Sequence, residues 1–211
     1  VTLNGPVDLN SSTLYLRGGG SGTINGIISE GGANAVTKVD KGTWTLSGAN
    51  TFTGRLTIVN GAVRLGASDT LNPLVPVSYA CATGWSALAS ATLDLNGYKQ
   101  TVSQLSGSVS QVGFSNVVAS AAPATLTVNQ VTTSLFDGRL TGALSLVKTG
   151  SGSLTLSNSL SVITGSMTVS NGTLVAVLSA SLGNSTNVTV AGGTLDLRVG
   201  AIADTASLNL F

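Results

Sequence analysis

The stretch GTWTLSGANTFTGRLTIVNGAVRLG (residues 42–66) returns in altered form as GSLTLSNSLSVITGSMTVSNGTLVA (residues 152–176). Glycines and alternate apolar residues keep their places, whereas most other letters change. Gly42 corresponds to Gly152, and Gly61 corresponds to Gly172 after one extra residue in the second copy. Because repetition at a long period is typical of stacked repeat architectures, this pair of segments indicates a repeat fold.

The repetition extends beyond the quoted pair on both sides. Upstream, INGIISEGGANAVTKVDKG resembles FDGRLTGALSLVKTGSG, and downstream ATLDLNG matches GTLDLRV. We predict one domain, residues 1–211, that contains two long repeats, 24–105 and 136–199. The offset between the copies falls in the downstream match, which indicates nine extra residues in the first copy. We place this insertion within 73–89, where two prolines interrupt the pattern.

Short runs of alternating apolar and hydroxyl residues predict an all-β chain. TWTL, LTIV, AVRL, LTL and MTV each have the period of a strand with one buried face, and Gly, Asn or Ser separates them. A sandwich does not require the same strand and turn phrase to recur in order, whereas a solenoid does, because equivalent turns stack. We predict a parallel β-helix (β-solenoid) of roughly ten coils, about 20 residues each.

The alternation also predicts which side chains face the core. The expected core positions are Trp44, Leu46, Leu56, Ile58, Val63 and Leu65, with Leu154, Leu156, Met167, Val169 and Leu174 as their counterparts. Two glycine pairs, Gly54 with Gly165 and Gly61 with Gly172, are expected at corners where a Cβ is hard to accommodate.

Two features near these corners have other interpretations. The Asn-Gly pairs at 60–61 and 171–172 suit a solenoid corner, but they also suit a hairpin turn with antiparallel flanking strands. Lys38 and Lys148 are equivalent, and we expect them at a solvent-facing ladder position.

Composition excludes several classes of function. Nine basic and eight acidic residues are scattered singly, and aromatic residues make up 4% of the chain, which disfavours nucleic-acid binding. No apolar run reaches the length of a spanning helix, so we expect no membrane insertion by this segment. The single cysteine, Cys81, is expected to be a small buried hydrophobe. The chain starts without Met, and we expect a mature product or a fragment.

No catalytic, cofactor or metal site is predicted. The chain has no histidine, which removes the commonest general base. Glycoside hydrolysis needs two carboxyl groups within about 10 Å. Asp94 and Asp196 occupy equivalent places in two TLDL segments, but about five coils, or roughly 24 Å, are expected between them. We interpret both as exposed strand residues.

The run VTKVDKGTWTLSGANTFTGRLTIVNGAVRLG (residues 36–66) strongly resembles the autotransporter-associated β-strand repeat, also called the passenger-associated transport repeat. The resemblance is carried by Lys38, Gly42, Thr45 to Thr53, Gly54, Thr57, Gly61 and Val63. The second copy keeps LVKTGSGSLTLS and TVSNGTLVA but replaces GANTFTG with NSLSVITG. The resemblance implies a right-handed β-helix, an exposed or released rod, and an extracellular or cell-surface location on a Gram-negative-type bacterium.

Three functional hypotheses follow. The first is a structural or interaction protein, a rigid rod that self-associates into a surface fibre, because nearly uncharged faces repel one another little. The second is an adhesin that binds carbohydrate or a cell surface, with Tyr79, Trp85 or Tyr98 as the contact, because solenoid insertions often carry binding. The third and most remote is a polysaccharide lyase. The expected partners are therefore other copies of the chain and cell-surface carbohydrate.

Overall fold

Alternation of apolar and hydroxyl residues produces short parallel strands that wind into a solenoid. The computed structural model describes residues 1–29, 36–80, 90–108, 114–185, 187–198 and 207–210. The strands described are, in chain order, β1 (Thr2–Leu3), β2 (Val7–Asp8), β3 (Leu14–Leu16), β4 (Gly22–Ile24), β5 (Ile28–Ser29), β6 (Val36–Lys38), β7 (Thr43–Leu46), β8 (Leu56–Ile58), β9 (Gly61–Leu65), β10 (Pro76–Ala80), β11 (Ser90–Asp94), β12 (Lys99–Val102), β13 (Gln104–Ser108), β14 (Ser115–Asn129), β15 (Ser134–Phe136), β16 (Arg139–Thr149), β17 (Ser153–Leu156), β18 (Val162–Ile163), β19 (Ser166–Val169), β20 (Thr173–Ala176), β21 (Asn187–Val190), β22 (Thr194–Leu197) and β23 (Ser207–Leu210). One 3₁₀ helix covers Ser179–Leu182.

The strands form three faces, and every strand pair described is parallel. Face 3 is a sheet of nine strands in the order β3-β6-β8-β10-β13-β15-β17-β20-β22. Faces 1 and 2 share a twelve-stranded sheet, because β14 and β16 run along face 1 and then bend into face 2. Face 1 contains β1, β4, β7, β9, β11, the first halves of β14 and β16, and β18; face 2 contains β12, their second halves, β19, β21 and β23.

Each coil adds one strand to face 3. We number the coils 1 to 9 by that strand, so that a coil also includes the segments of faces 1 and 2 that precede it. Nine such strands make eight turns from the first to the last. The predicted β-solenoid is confirmed, but the estimate of ten coils is too high because some coils are long. The coil from Arg64 to its partner Asp94 takes thirty residues, whereas the coil from Thr45 to its partner Arg64 takes nineteen.

Apolar side chains at alternate positions fill the interior between the three faces. The buried set includes ten of the eleven predicted core residues: Leu46, Leu56, Ile58, Val63, Leu65, Leu154, Leu156, Met167, Val169 and Leu174. Trp44 is the exception, since it packs against the core but stays half-buried. Its ring lies over Gly22 of the coil below, where a Cβ would come within 2.7 Å of the indole, and its Nε1 donates to Arg17 O at 3.1 Å.

The two repeat copies are offset by a fraction of a turn. Lys38 ends β6 on face 3 in coil 2, whereas Lys148 lies near the end of β16 on face 2 in coil 7. The copies are therefore separated by about four and two-thirds turns, and the second copy begins one face earlier. The repeat specifies a strand, a corner and a second strand in that order. This unit occurs at more than one edge of the three-faced solenoid.

The Asn-Gly pairs lie at corners between parallel strands. Asn60 and Gly61 join β8 on face 3 to β9 on face 1, and Asn171 and Gly172 join β19 on face 2 to β20 on face 3. β8 pairs with β6 and β10 rather than with β9, so the hairpin interpretation is excluded. In the described part of the chain, no helix has the length and apolar character needed to cross a bilayer.

Candidate functional site

The three aromatic residues predicted as ligand contacts occupy different environments. Tyr79 on β10 is 4% exposed, and its hydroxyl donates to Val117 O at 2.8 Å. Its ring lies 5.4 Å from the ring of Phe136, and burial raises the pKa of its phenol. Tyr98 is half-buried and packs against the core. Trp85, like Cys81, lies outside the described residues. Tyr79 therefore presents no ring surface to a ligand, and the contact prediction remains with Trp85 and Tyr98.

Face 3 carries an uncharged column of outward side chains. In register from coil 2 to coil 8 the column consists of Thr37, Thr57, Ser78, Ser106, Leu135, Thr155 and the buried Val175, and Asp196 follows it in coil 9. The hydroxyls of Thr57 and Ser78 lie 3.4 Å apart, within hydrogen-bonding distance along the ladder. Leu135 is 44% exposed. At a coil spacing of about 4.8 Å, the column extends about 29 Å without a charge.

The lysine of the second repeat is buried inside a corner. Lys148 has no exposed surface, and its Nζ donates to Thr149 O at 2.6 Å, Gly150 O at 2.9 Å and Asn171 O at 3.3 Å. Three donors of one ammonium thus bond to carbonyls of two successive coils. This arrangement ties the corner of coil 7 to the Asn-Gly corner of coil 8.

The first repeat builds the same corner. Lys38 is also fully buried, and its Nζ donates to Asp40 O and to Asn60 O, the latter at 3.1 Å. In both copies the Asn side chain accepts from the following glycine N–H, at 2.8 Å for Asn60 and 2.7 Å for Asn171. The expectation that these lysines face solvent is wrong. The carbonyls that a tight corner turns inward need donors, and the lysine supplies them.

Burial acts on the charge of both lysines. Desolvation lowers the pKa of Lys148 below 10.5. Desolvation likewise lowers the pKa of Lys38, and the nearby Asp40 carboxylate partly opposes this shift. Backbone carbonyls surround each ammonium group and leave no room for a substrate, so we assign these lysines a structural role.

Glycine is required in each Asn-Gly corner, where that corner stacks on the lysine corner of the coil below. Gly61 and Gly172 have φ of +73° and +67°, and a Cβ at either would overlap two carbonyls of the coil below and approach the lysine Nζ. A Cβ at Gly165 would overlap Leu144 O, which confirms the expected tight corner there. The sequence signal for this corner is therefore a combination of features that occurs in both copies. It consists of a lysine, at least one glycine within the next four residues, and an Asn-Gly pair one coil later.

Three of the described carboxylates each bind a basic side chain. Asp94 binds Arg64 at 2.7 Å on face 1, whereas Asp196 binds Arg198 at 2.8 Å on face 3, four coils later. Asp69 pairs with Lys99 at 2.9 Å. In the ranges that the structure describes, no group of three or more Cys, Asp or Glu residues could hold a metal ion.

The buried lysine and the Asn-Gly corner recur together in both segments that match a known repeat model. The model of the passenger-associated-transport-repeat matches residues 36–65 and 146–176. The chain carries two passenger-associated-transport repeats. The matched segments begin just before each buried lysine and end on the strand after each Asn-Gly corner. The model therefore covers the two corners whose geometry is described above.

A curated relative supports the relationship. The Adhesin BmaC autotransporter of Brucella suis biovar 1 (strain 1330) is 32% identical over 143 residues, which is 68% of this chain. The chain spans 4% of the length of that adhesin. No solved structure matches the chain. The chain is thus an autotransporter passenger-like β-helix distantly related to an adhesin, and this relationship implies a surface-exposed or secreted location.

Proposed function

We propose that this segment is a rigid extracellular rod that self-associates laterally into a surface fibre. The observation that carries the proposal is the uncharged column on face 3. Hydroxyl and aliphatic side chains there approach a second copy without charge repulsion, and an exposed Leu135 adds apolar area. The parallel ladder places one residue of the column in each coil, so two copies can meet along its length.

The area of the face 3 column determines how strongly two copies are expected to associate. The column is about 29 Å long and three to five residues wide, which gives about 300–450 Å² on each partner. A standard stable interface buries about 800 Å² on each partner. Association through one segment is therefore weak and concentration-dependent, and a fibre gains strength from many segments side by side.

Charges placed on face 3 are expected to abolish this association. In the double variant Thr57→Glu with Thr155→Glu, two carboxylates lie in the column four coils apart and oppose the same charges on a second copy. Sedimentation velocity over a wide concentration range should show oligomers for the wild-type chain and monomers for the variant.

The matched control places the same charges on face 1, as Thr23→Glu with Thr141→Glu, at outward positions of coils 2 and 7. This control should associate like the wild type. A wild-type chain that stays monomeric at every concentration would refute the fibre, as would equal loss of association in both double variants.

A second candidate function is adhesion to carbohydrate, and the relationship to an adhesin favours it. The rod then acts as a support that presents a binding surface away from the cell. Tyr98 and the insertion around Trp85 are the contacts that the sequence suggests. Deletion of residues 81–89 should abolish glycan binding without unfolding the rod if the insertion carries it.

A further inference from the structure

A groove lies along the edge where faces 1 and 2 meet. Its volume is about 450 Å³, within the usual 300–1,000 Å³ range of ligand pockets. Its lining begins at Ser68 in coil 4, includes Gly97 in coil 5 and Ala143 in coil 7, and ends at Thr164 and Gly165 in coil 8. Four coil steps of about 4.8 Å make it about 19 Å long. The groove therefore runs parallel to the rod axis.

The two bent strands explain why this edge is concave. Ser120 of β14 pairs with Gly142 of β16, and Ala124 pairs with Leu144, so β14 has two more residues than β16 at the bend. The extra length makes residues 121–123 protrude into solvent. Gly142, in the next coil, has φ of +87° and lies directly over Ser120, where a Cβ would overlap Ser120 O. A protruding wall thus lies beside a recess with a floor of small residues.

The lining indicates an uncharged ligand that has hydroxyl groups of its own. Thr125 and Ser145 are in register on neighbouring strands, which places their side chains about 4.8 Å apart along the axis. Lys99, the one charged residue among the described residues of the lining, is paired with Asp69 at 2.9 Å. Small apolar groups, Ala124 and Ala143, complete the floor and suit the C–H surface of a sugar ring.

The strands of the groove disfavour a peptide as the occupant. An extended peptide binds a sheet by adding to a free strand edge. β14 pairs with β12 and β16 beside the groove, and β16 pairs with β14 and β19, so these backbone groups already have partners. A sugar chain needs no such edge, since its hydroxyls can bond to the hydroxyl side chains.

We propose that this groove binds a linear, uncharged polysaccharide along the axis of the rod. The inference rests on the second candidate function and names its site and ligand class. It places binding at the edge between faces 1 and 2 and leaves the insertion around Trp85 aside. Tyr98 does not line the groove, although its neighbours Gly97 and Lys99 do, and its ring packs against the core.

Filling the groove tests the site. Ala143→Trp places an indole on the floor, and Thr125→Arg places a long side chain across it from an outward strand position that does not contact the core. The probes are cellohexaose and maltohexaose, a β-linked and an α-linked neutral hexasaccharide, titrated calorimetrically. We expect the wild type to bind at least one probe, and both variants to bind it at least tenfold more weakly. Thr23→Trp, on face 1 in coil 2, is the control and should bind like the wild type.

The outcomes separate the groove from the broader adhesion proposal. Unchanged affinity in both folded variants, with loss of binding when residues 81–89 are deleted, would overturn the groove and leave adhesion standing. A wild-type chain that binds neither hexasaccharide would overturn the proposed ligand class. Circular dichroism of each variant identifies misfolding, and a loss of binding in folded Thr125→Arg alone supports the groove even if Ala143→Trp does not fold.

Discussion

Replacing Lys148 by Met is expected to lower the free energy of unfolding by about 3 kcal/mol. Met fills a similar volume, but it donates no hydrogen bond. The carbonyls of Gly150 and Asn171 then lose the donor that they share, whereas Thr149 O still accepts from Gln130 N–H at 3.0 Å. A carbonyl left without a partner costs about 1–3 kcal/mol. Urea unfolding followed by circular dichroism measures the loss, and Lys38→Met should behave similarly.

The same substitution is expected to change how stability depends on pH. Desolvation holds the pKa of folded Lys148 below the value of 10.5 that applies to the unfolded chain. Between these two values the unfolded chain binds the additional proton, so the free energy of unfolding rises with pH. This contribution is complete above 10.5 and is lost as the pH falls through the folded pKa. The wild type should therefore gain stability relative to Lys148→Met as the pH rises toward 10.5.

Lys41→Met is the control because Lys41 is exposed at the equivalent corner of the first repeat, three residues after Lys38. It should leave the free energy of unfolding at neutral pH within about 0.5 kcal/mol of the wild type. If Lys148→Met were as stable as Lys41→Met, the buried ammonium would not hold the corner, and the structural role of the repeat lysine would be wrong.

Replacing Gly172 by Ala is expected to cost at least about 3 kcal/mol. Its φ of +67° is unfavourable for any residue with a Cβ, and that Cβ would overlap the carbonyls of Gly150 and Gly152. The coils must move apart at this corner, which also pulls Asn171 O away from the lysine. Thermal unfolding and amide exchange in β17 and β20 report the loss, and Gly61→Ala should show it around β7 and β9.

Gly20→Ala provides the control for backbone entropy. A Cβ at Gly20 has no atom within 4 Å, and its φ lies outside the left-handed region. We expect the free energy of unfolding of this variant to lie within about 0.5 kcal/mol of that of the wild type. A Gly172→Ala variant as stable as Gly20→Ala would show that the coils do not stack as closely at the corner as described.

The alternation of the repeat was sufficient to predict most of the core. Leu56 and Ile58 on face 3 alternate with outward residues, and so do Met167 and Val169 on face 2. The reason is that side chains along a strand point to opposite sides in turn, whichever face the strand belongs to. Trp44 differs because its ring stays half-buried, with its Nε1 donating to Arg17 O. It lies over Gly22, and no signal within its own strand shows the space above a glycine of another coil.

The lysines show where reasoning from single residues fails. Lysine is almost never fully buried unless it has partners, so exposure was the expectation for Lys38 and Lys148. Their partners are backbone carbonyls, which the sequence does not display. Only the joint recurrence of lysine, corner glycine and Asn-Gly in both copies carries the information.

The groove depends on a length difference between neighbouring strands. Two extra residues between Ser120 and Ala124 make the wall, and Gly142 makes the recess. These residues lie between the two repeat segments or at the start of the second, so comparing the copies does not align them with each other. Their juxtaposition requires the register of β14 against β16, and a register between strands about twenty residues apart is a property of the folded coil.

Distances between spin labels along face 3 test the parallel three-faced solenoid most directly. Cysteines at Tyr15, Thr37 or Thr57, each paired with one at Thr155 in a Cys81→Ser background, place labels six, five or four coils apart. Double electron–electron resonance at high dilution should give distances near 29, 24 and 19 Å, so that each coil adds about 4.8 Å. Distances that fail to increase by one coil spacing at each step would contradict the solenoid and every surface assigned to it.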